Sequence, residues 1–157
     1  MPKLHFETVP VEEVAEAGIR GKDRLRPSVL VVDDERIIAD TLAAILERQG
    51  FRAQPLYDAE SALELIRIAP PELLVSDVVL PGMSGIDLAI ILKTEFPSCK
   101  VLLFSGQANT VDLLAVARRD GHDFTVLVKP IHPSELLAHI SDLGTGIQAS
   151  QIPSYSE

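Results

Sequence analysis

Three aspartates, a serine and a lysine stand where short apolar runs of the 157-residue chain stop. Val29-Leu30-Val31-Val32 ends at Asp33-Asp34, and Leu73-Leu74-Val75-Ser76 ends at Asp77. Val101-Leu102-Leu103-Phe104 ends at Ser105, and Thr125-Val126-Leu127-Val128 ends at Lys129. Taken singly, each has an ordinary explanation as a turn, a helix cap or a surface lysine at a strand end. Together they describe a chemistry. Carboxylates gathered at one edge repel one another and raise their pKa values unless a cation sits among them. Hard oxygen donors with room for water suit Mg2+. A hydroxyl and an ammonium facing those carboxylates make sense if an anion visits the same place. The combination fits phosphoryl transfer, in which positioning and charge neutralisation do most of the work.

The elements that must position these residues follow from the apolar pattern. Ser28–Val32 is a continuous β-branched run, as in a strand buried on both faces. Ile37, Ile38, Leu42, Ile45 and Leu46 recur at helical spacing until Gly50. Phe51–Leu56 reads as a short strand, and Asp58 as the N-cap of a helix reaching Ile68, broken by Pro70-Pro71. The cycle repeats: strand 73–77, turn 81–85, helix 86–96, strand 101–104, helix 110–119, strand 125–128. Ser134 is expected to cap a last helix running to about Leu143. Five strands alternating with five helices predict an α/β fold, a five-stranded parallel sheet with helices on both faces. Ligands of such sheets sit beyond the carboxyl ends of the strands, where the five polar residues collect.

The βα pattern fills residues 27–143. Residues 1–26 form an N-terminal extension in which Glu7, Glu12, Glu13 and Glu16 precede Arg20, Lys22, Arg24 and Arg26. It reads as a solvated arm, with Val11, Val14 and Ala15 able to form one face of a short docking helix. The Gly-, Ser- and Gln-containing stretch 144–157 reads as a disordered tail. Fourteen Lys and Arg against 23 Asp and Glu give a net charge of −9, which disfavours general nucleic-acid binding. A single cysteine excludes an internal disulfide and fits a reducing, cytoplasmic setting, with Cys99 a half-buried bystander. No membrane span and no secretion signal are expected. Among the four histidines only the seven-residue gap from His132 to His139 has a metal-like spacing, and it fits two exposed turns of the last helix better than a site; neither a nucleophile elbow nor a GxxxxGK loop is present. Met83 reads as packing.

Four stretches carry a likeness to a known family: Val29-Leu30-Val31-Val32-Asp33-Asp34-Glu35, Ser76-Asp77-Val78-Val79-Leu80-Pro81-Gly82-Met83-Ser84-Gly85, Phe104-Ser105-Gly106 and Val128-Lys129-Pro130. In this order, at successive strand ends, the sequence resembles the receiver domain of bacterial two-component response regulators. The resemblance implies a flavodoxin-like (βα)5 fold with strand order 2-1-3-4-5. It implies that Asp77 accepts a phosphoryl group from a sensor histidine kinase or a histidine phosphotransfer protein. By the same likeness, Asp33, Asp34, Asp77 and the Val79 carbonyl hold Mg2+, with Asp34 and Asp77 as the direct carboxylate ligands. Ser105 would supply the switching hydroxyl and Lys129 would pair with the phosphoryl group. A cis Lys129-Pro130 bond is also implied, and Gly106 would keep the entrance open.

Two positions depart from the family pattern. The aromatic usual three residues before the lysine is replaced by Val126, with Phe124 the nearest ring. The reading favoured is that the aromatic half of the switch is missing. At the positions that tune phosphoryl lifetime stand Val79 and Gln107; an apolar Val79 cannot orient a water, so slow to moderate self-dephosphorylation is expected. The leading expectation is a stand-alone phosphoswitch, not an enzyme, acting on a downstream protein. Homodimerisation is left open. The alternative is a phosphorylation-independent interaction scaffold, which has no electrostatic need for the five polar residues. A Mg2+-dependent phosphatase would need a second Asp near Asp77 and a capping insertion, and neither is found.

Overall fold

The computed structural model describes residues 26–106 and 110–143. The expectations for the extension before Arg26, for Gln107 and for the tail from residue 144 lie outside the described residues. Ten elements alternate: β1 (Ser28–Val32), α1 (Arg36–Arg48), β2 (Arg52–Leu56), α2 (Ala59–Ile68), β3 (Leu73–Asp77), α3 (Gly85–Glu95), β4 (Lys100–Ser105), α4 (Thr110–Arg119), β5 (Thr125–Val128) and α5 (Pro133–Asp142). The strands form one parallel sheet in the order β2-β1-β3-β4-β5, the expected topology. β2 is an edge strand, which accommodates Pro55 because an edge has a free side for a residue lacking N–H.

Successive side chains of a strand point to opposite faces, so each buried run feeds two cores. Leu30, Val32, Leu74 and Leu103 pack with Ala62 and Ile66 of α2, Leu88 and Leu92 of α3, and Ala117 of α4. Val29, Val31, Val75, Leu102 and Phe104 pack on the other face with Leu42 and Leu46 of α1 and with Leu136 and Ile140 of α5. The central strands are thus apolar throughout, and their polar residues are displaced to the ends.

Local signals set most boundaries. Gly50 closes α1 with a φ of 93°, a left-handed conformation that suits glycine. Asp58 caps α2, its carboxylate accepting from the Ser61 amide at 2.7 Å. That hydrogen bond, with a second from the Ser61 hydroxyl, holds the Asp58 carboxyl below its ordinary pKa. Asp58→Ala should cost about 1 kcal/mol of stability at neutral pH. Because the folded-state pKa is depressed, this contribution is present above the ordinary carboxylate pKa and lost as pH falls through the folded one. Denaturant melts of both proteins at pH 7 and pH 3 check it: the gap should narrow in acid.

Two expectations are corrected. His132, not Ser134, occupies the N-cap position of α5, without a side-chain cap hydrogen bond, and Pro133 occupies the first turn. Proline there needs no capping partner and presets φ, so the helix starts at Pro133, ahead of the serine. Cys99 is buried, 5% exposed rather than half-buried, because it belongs to the apolar core with Leu92 and Val101, and its thiol donates to the Pro71 carbonyl at 2.8 Å. Burial pushes the Cys99 thiol above its ordinary pKa.

Candidate functional site

The ladder continues past the strand ends and sets the polar residues side by side. The Asp33 amide donates to the Leu56 carbonyl, Val78 to Phe104, and Lys129 to Ser105, at 3.1, 3.0 and 2.9 Å. The Lys129-Pro130 peptide is cis. Asp33, Asp77 and Ser105 are buried, whereas Asp34 is exposed at the rim. The Lys129 ammonium reaches over the edge and bridges the two buried carboxylates. It donates to Asp77 Oδ2 at 2.8 Å and to Asp33 Oδ2 at 3.0 Å.

The remaining carboxylate oxygens are held by backbone. Asp33 Oδ1 accepts from the Glu35 amide at 2.9 Å, and Asp77 Oδ1 from the Val79 amide at 3.1 Å. Burial nevertheless pushes the Asp33 carboxyl above its ordinary pKa, against the opposing pull of the Glu35 amide and Lys129. Burial also works against the Lys129 charge, but the hydrogen bonds to Asp77 and Asp33 outweigh it and raise the pKa of the ammonium. The lysine is therefore a fixed positive charge at neutral pH.

One oxygen from each of Asp33, Asp34 and Asp77 lies within 4.8 Å of the others. Three carboxyl groups gather here against a single ammonium, an excess of acidic groups over basic ones. A divalent ion with a preference for oxygen would offset that excess. The donor set fits Mg2+. Asp34, Asp77, Val79, Pro81, Gly106 and Lys129 line an open cleft of about 470 Å³ beside the carboxylates. Val79 is 37% exposed at its mouth. A Cβ on Gly106 would meet Lys129 no closer than 3.6 Å, so this glycine leaves ordinary room above the lysine.

Asp33, Asp34, Asp77, Val79, Gly106 and Lys129 meet at this cleft, and Ser105 stands beside it at the end of β4. Val126 lies in register with Leu103, partly buried on the α2–α4 face of the sheet. Phe124 precedes β5 and stacks on His122, ring centroids 5.8 Å apart and planes 4° from parallel. Two supports escaped the sequence reading. Gly85 passes so close to Asp77 that a Cβ would fall 1.8 Å from the Asp77 carbonyl oxygen. Glu60, at the start of α2, accepts from the Met83 amide at 2.8 Å, in the loop that follows Asp77. The Pro81-Gly82-Met83-Ser84-Gly85 spacing hinted at the first; nothing local to Glu60 hinted at the second.

Residues 29–141 match the model of the response regulator receiver domain. Among curated relatives, the DNA-binding response regulator MtrA of Mycobacterium bovis is 31% identical over 118 residues, covering 75% of this chain and 50% of that protein. The nitrogen assimilation regulatory protein NtrX of Azorhizobium caulinodans is 35% identical over 111 residues, covering 69% of this chain and 24% of its own length. The chain thus spans half or less of these relatives. Among solved structures, the signal receiver domain of an HD domain-containing protein from Pseudomonas fluorescens Pf-5 superposes with a TM-score of 0.70 at 27% identity, covering 78% of this chain and 99% of that one. NtrX from Brucella abortus gives 0.65 at 30% identity, covering 78% of this chain and 28% of its own. This chain belongs to the response regulator receiver domain family.

Proposed function

We propose that the chain is a Mg2+-dependent phosphoswitch that accepts a phosphoryl group on Asp77 and changes its protein contacts in response. The observation that carries this reading is the Lys129 ammonium bridging Asp33 and Asp77 at the mouth of an open cleft. An Asp77 oxygen attacks phosphorus; the new O–P bond forms as the bond from phosphorus to the donor's histidine nitrogen breaks. The imidazole nitrogen keeps the bonding pair, and Asp77 becomes a mixed anhydride. Lys129, already within hydrogen-bond distance of Asp77, is positioned to follow the added negative charge, and the Ser105 hydroxyl to bond a phosphoryl oxygen. Asp33, Asp34, Asp77 and the Val79 carbonyl would hold the ion, which when bound would neutralise charge on the transferring group.

The phosphodonor is a sensor histidine kinase or a histidine phosphotransfer protein. An apolar groove of about 590 Å³ between α1 and the segment after β5 adjoins Lys129 and offers it a seat, with Ile37 82% exposed. Val111, Val116 and Val128, which are 69%, 56% and 74% exposed, favour the α4–β5 side as the face presented to a downstream protein. A net charge of −9 favours a protein partner over nucleic acid for this unit. The Mg2+ requirement tests the reading: labelling by a small phosphodonor should stop with excess EDTA and return when Mg2+ is restored. Labelling that proceeds unchanged in EDTA would contradict it.

A further inference from the structure

The loop between β3 and α3 carries Val79 and lines the cleft, so its shape matters to the ion and to the phosphoryl group alike. Its base is pinned within the sheet: the Val78 amide bonds the Phe104 carbonyl, and the Gly85 amide bonds the Val78 carbonyl. Leu80 is buried. The outer turn, Pro81-Gly82-Met83, lies against Glu60, which belongs to another element. The Glu60 carboxylate accepts from the Met83 amide at 2.8 Å across 23 residues of sequence. It lies so near Gly82, where φ is 76°, that a Cβ there would fall 2.6 Å from Glu60 Oε1. The turn is wrapped onto this one side chain.

We infer that Glu60 is a positioning residue for the phosphorylation site, fixing the β3–α3 loop, and with it the Val79 carbonyl, through the Met83 amide. The inference rests on the proposed function for its consequence, but the loop anchor itself does not. Glu60 also sits in the first turn of α2, where a negative charge favours the helix dipole. The two roles separate by chemistry. A glutamine keeps the carbonyl oxygen that Met83 needs and loses the charge, whereas an alanine loses both.

The experiment compares wild type, Glu60→Gln and Glu60→Ala in the full chain. It reads the exchange rate of the Met83 amide by NMR without metal, then the Kd for Mg2+ by calorimetry. Glu60→Ala should speed Met83 exchange at least threefold, as expected when a local closing contact is lost. It should weaken Mg2+ roughly threefold to tenfold, near the low end of what losing a support behind a ligand costs. Glu60→Gln should stay close to wild type in both. Wild-type values in Glu60→Ala, or equal losses in Glu60→Gln and Glu60→Ala, would overturn the inference. Failure of wild type to bind Mg2+ would count against the proposed function instead, and Met83 exchange would still decide the anchor.

Discussion

Gly85→Ala should lower stability by about 3 kcal/mol or more and slow phosphoryl acceptance roughly a hundredfold. A Cβ at this first residue of α3 would fall 1.8 Å from the Asp77 carbonyl oxygen, 2.8 Å from its carbon and 2.9 Å from Ser76 Oγ. No rotamer relieves a Cβ clash with backbone. Either α3 lifts off the sheet, exposing Ile86 and Leu88, or the end of β3 shifts and takes Asp77 with it. Gly106→Ala is the control. Its nearest neighbour would be Lys129 Cδ at 3.6 Å, an ordinary contact, so it should fold normally. Denaturant melts of both variants and the labelling rate of Gly85→Ala against wild type check this; a Gly85→Ala protein as stable as Gly106→Ala and as fast as wild type would refute it.

Lys129→Met should separate ion binding from phosphoryl transfer. The methionine keeps the stem and removes the ammonium that bridges Asp33 and Asp77. Transfer should fall by roughly 10²–10³-fold, the scale of losing one pre-aligned charge in a partly enclosed site. Mg2+ should bind at least as tightly as in wild type, since the carboxylates lose a competing cation. Stability without metal should fall by about 2 kcal/mol at neutral pH, because fully buried Asp33 loses its ion partner. The pH dependence has a definite sign. Burial already raises the Asp33 pKa, and without Lys129 it rises further. A carboxyl whose folded-state pKa is raised costs stability only when it ionises, so the deficit should be absent in acid. It should open as pH rises through the ordinary carboxylate value. Melts in EDTA from pH 3 to 7, with Mg2+ titrations beside them, read both effects.

Much of this was legible in the residues. Leu73-Leu74-Val75 and Val101-Leu102-Leu103 are short apolar runs without alternation, as expected of strands covered on both faces. Asp58 and Gly50 carry their own local chemistry, so α2 begins and α1 ends where they stand. The gathering of Asp33, Asp34, Asp77, Ser105 and Lys129 followed because parallel strands bring all their carboxyl ends to one edge. What was not legible depended on contacts between elements. Ser134 is a good cap in isolation, but the helix starts at Pro133, two residues before a Ser134 cap would start it. Cys99 follows Pro97-Ser98 and gives no sign of the core packing that buries it or of the Pro71 carbonyl that its thiol reaches. Glu60 and Gly85 act on a loop that is folded back onto them, a relation no local window contains.

The central claim is that Asp77 is the acceptor. Intact mass of wild type and Asp77→Asn, after incubation with Mg2+ and a small phosphodonor, tests it most directly. One hydroxylamine-labile phosphoryl group on wild type and none on Asp77→Asn is the predicted result. Equal labelling of the two proteins, or no labelling where a control receiver is labelled, would contradict it.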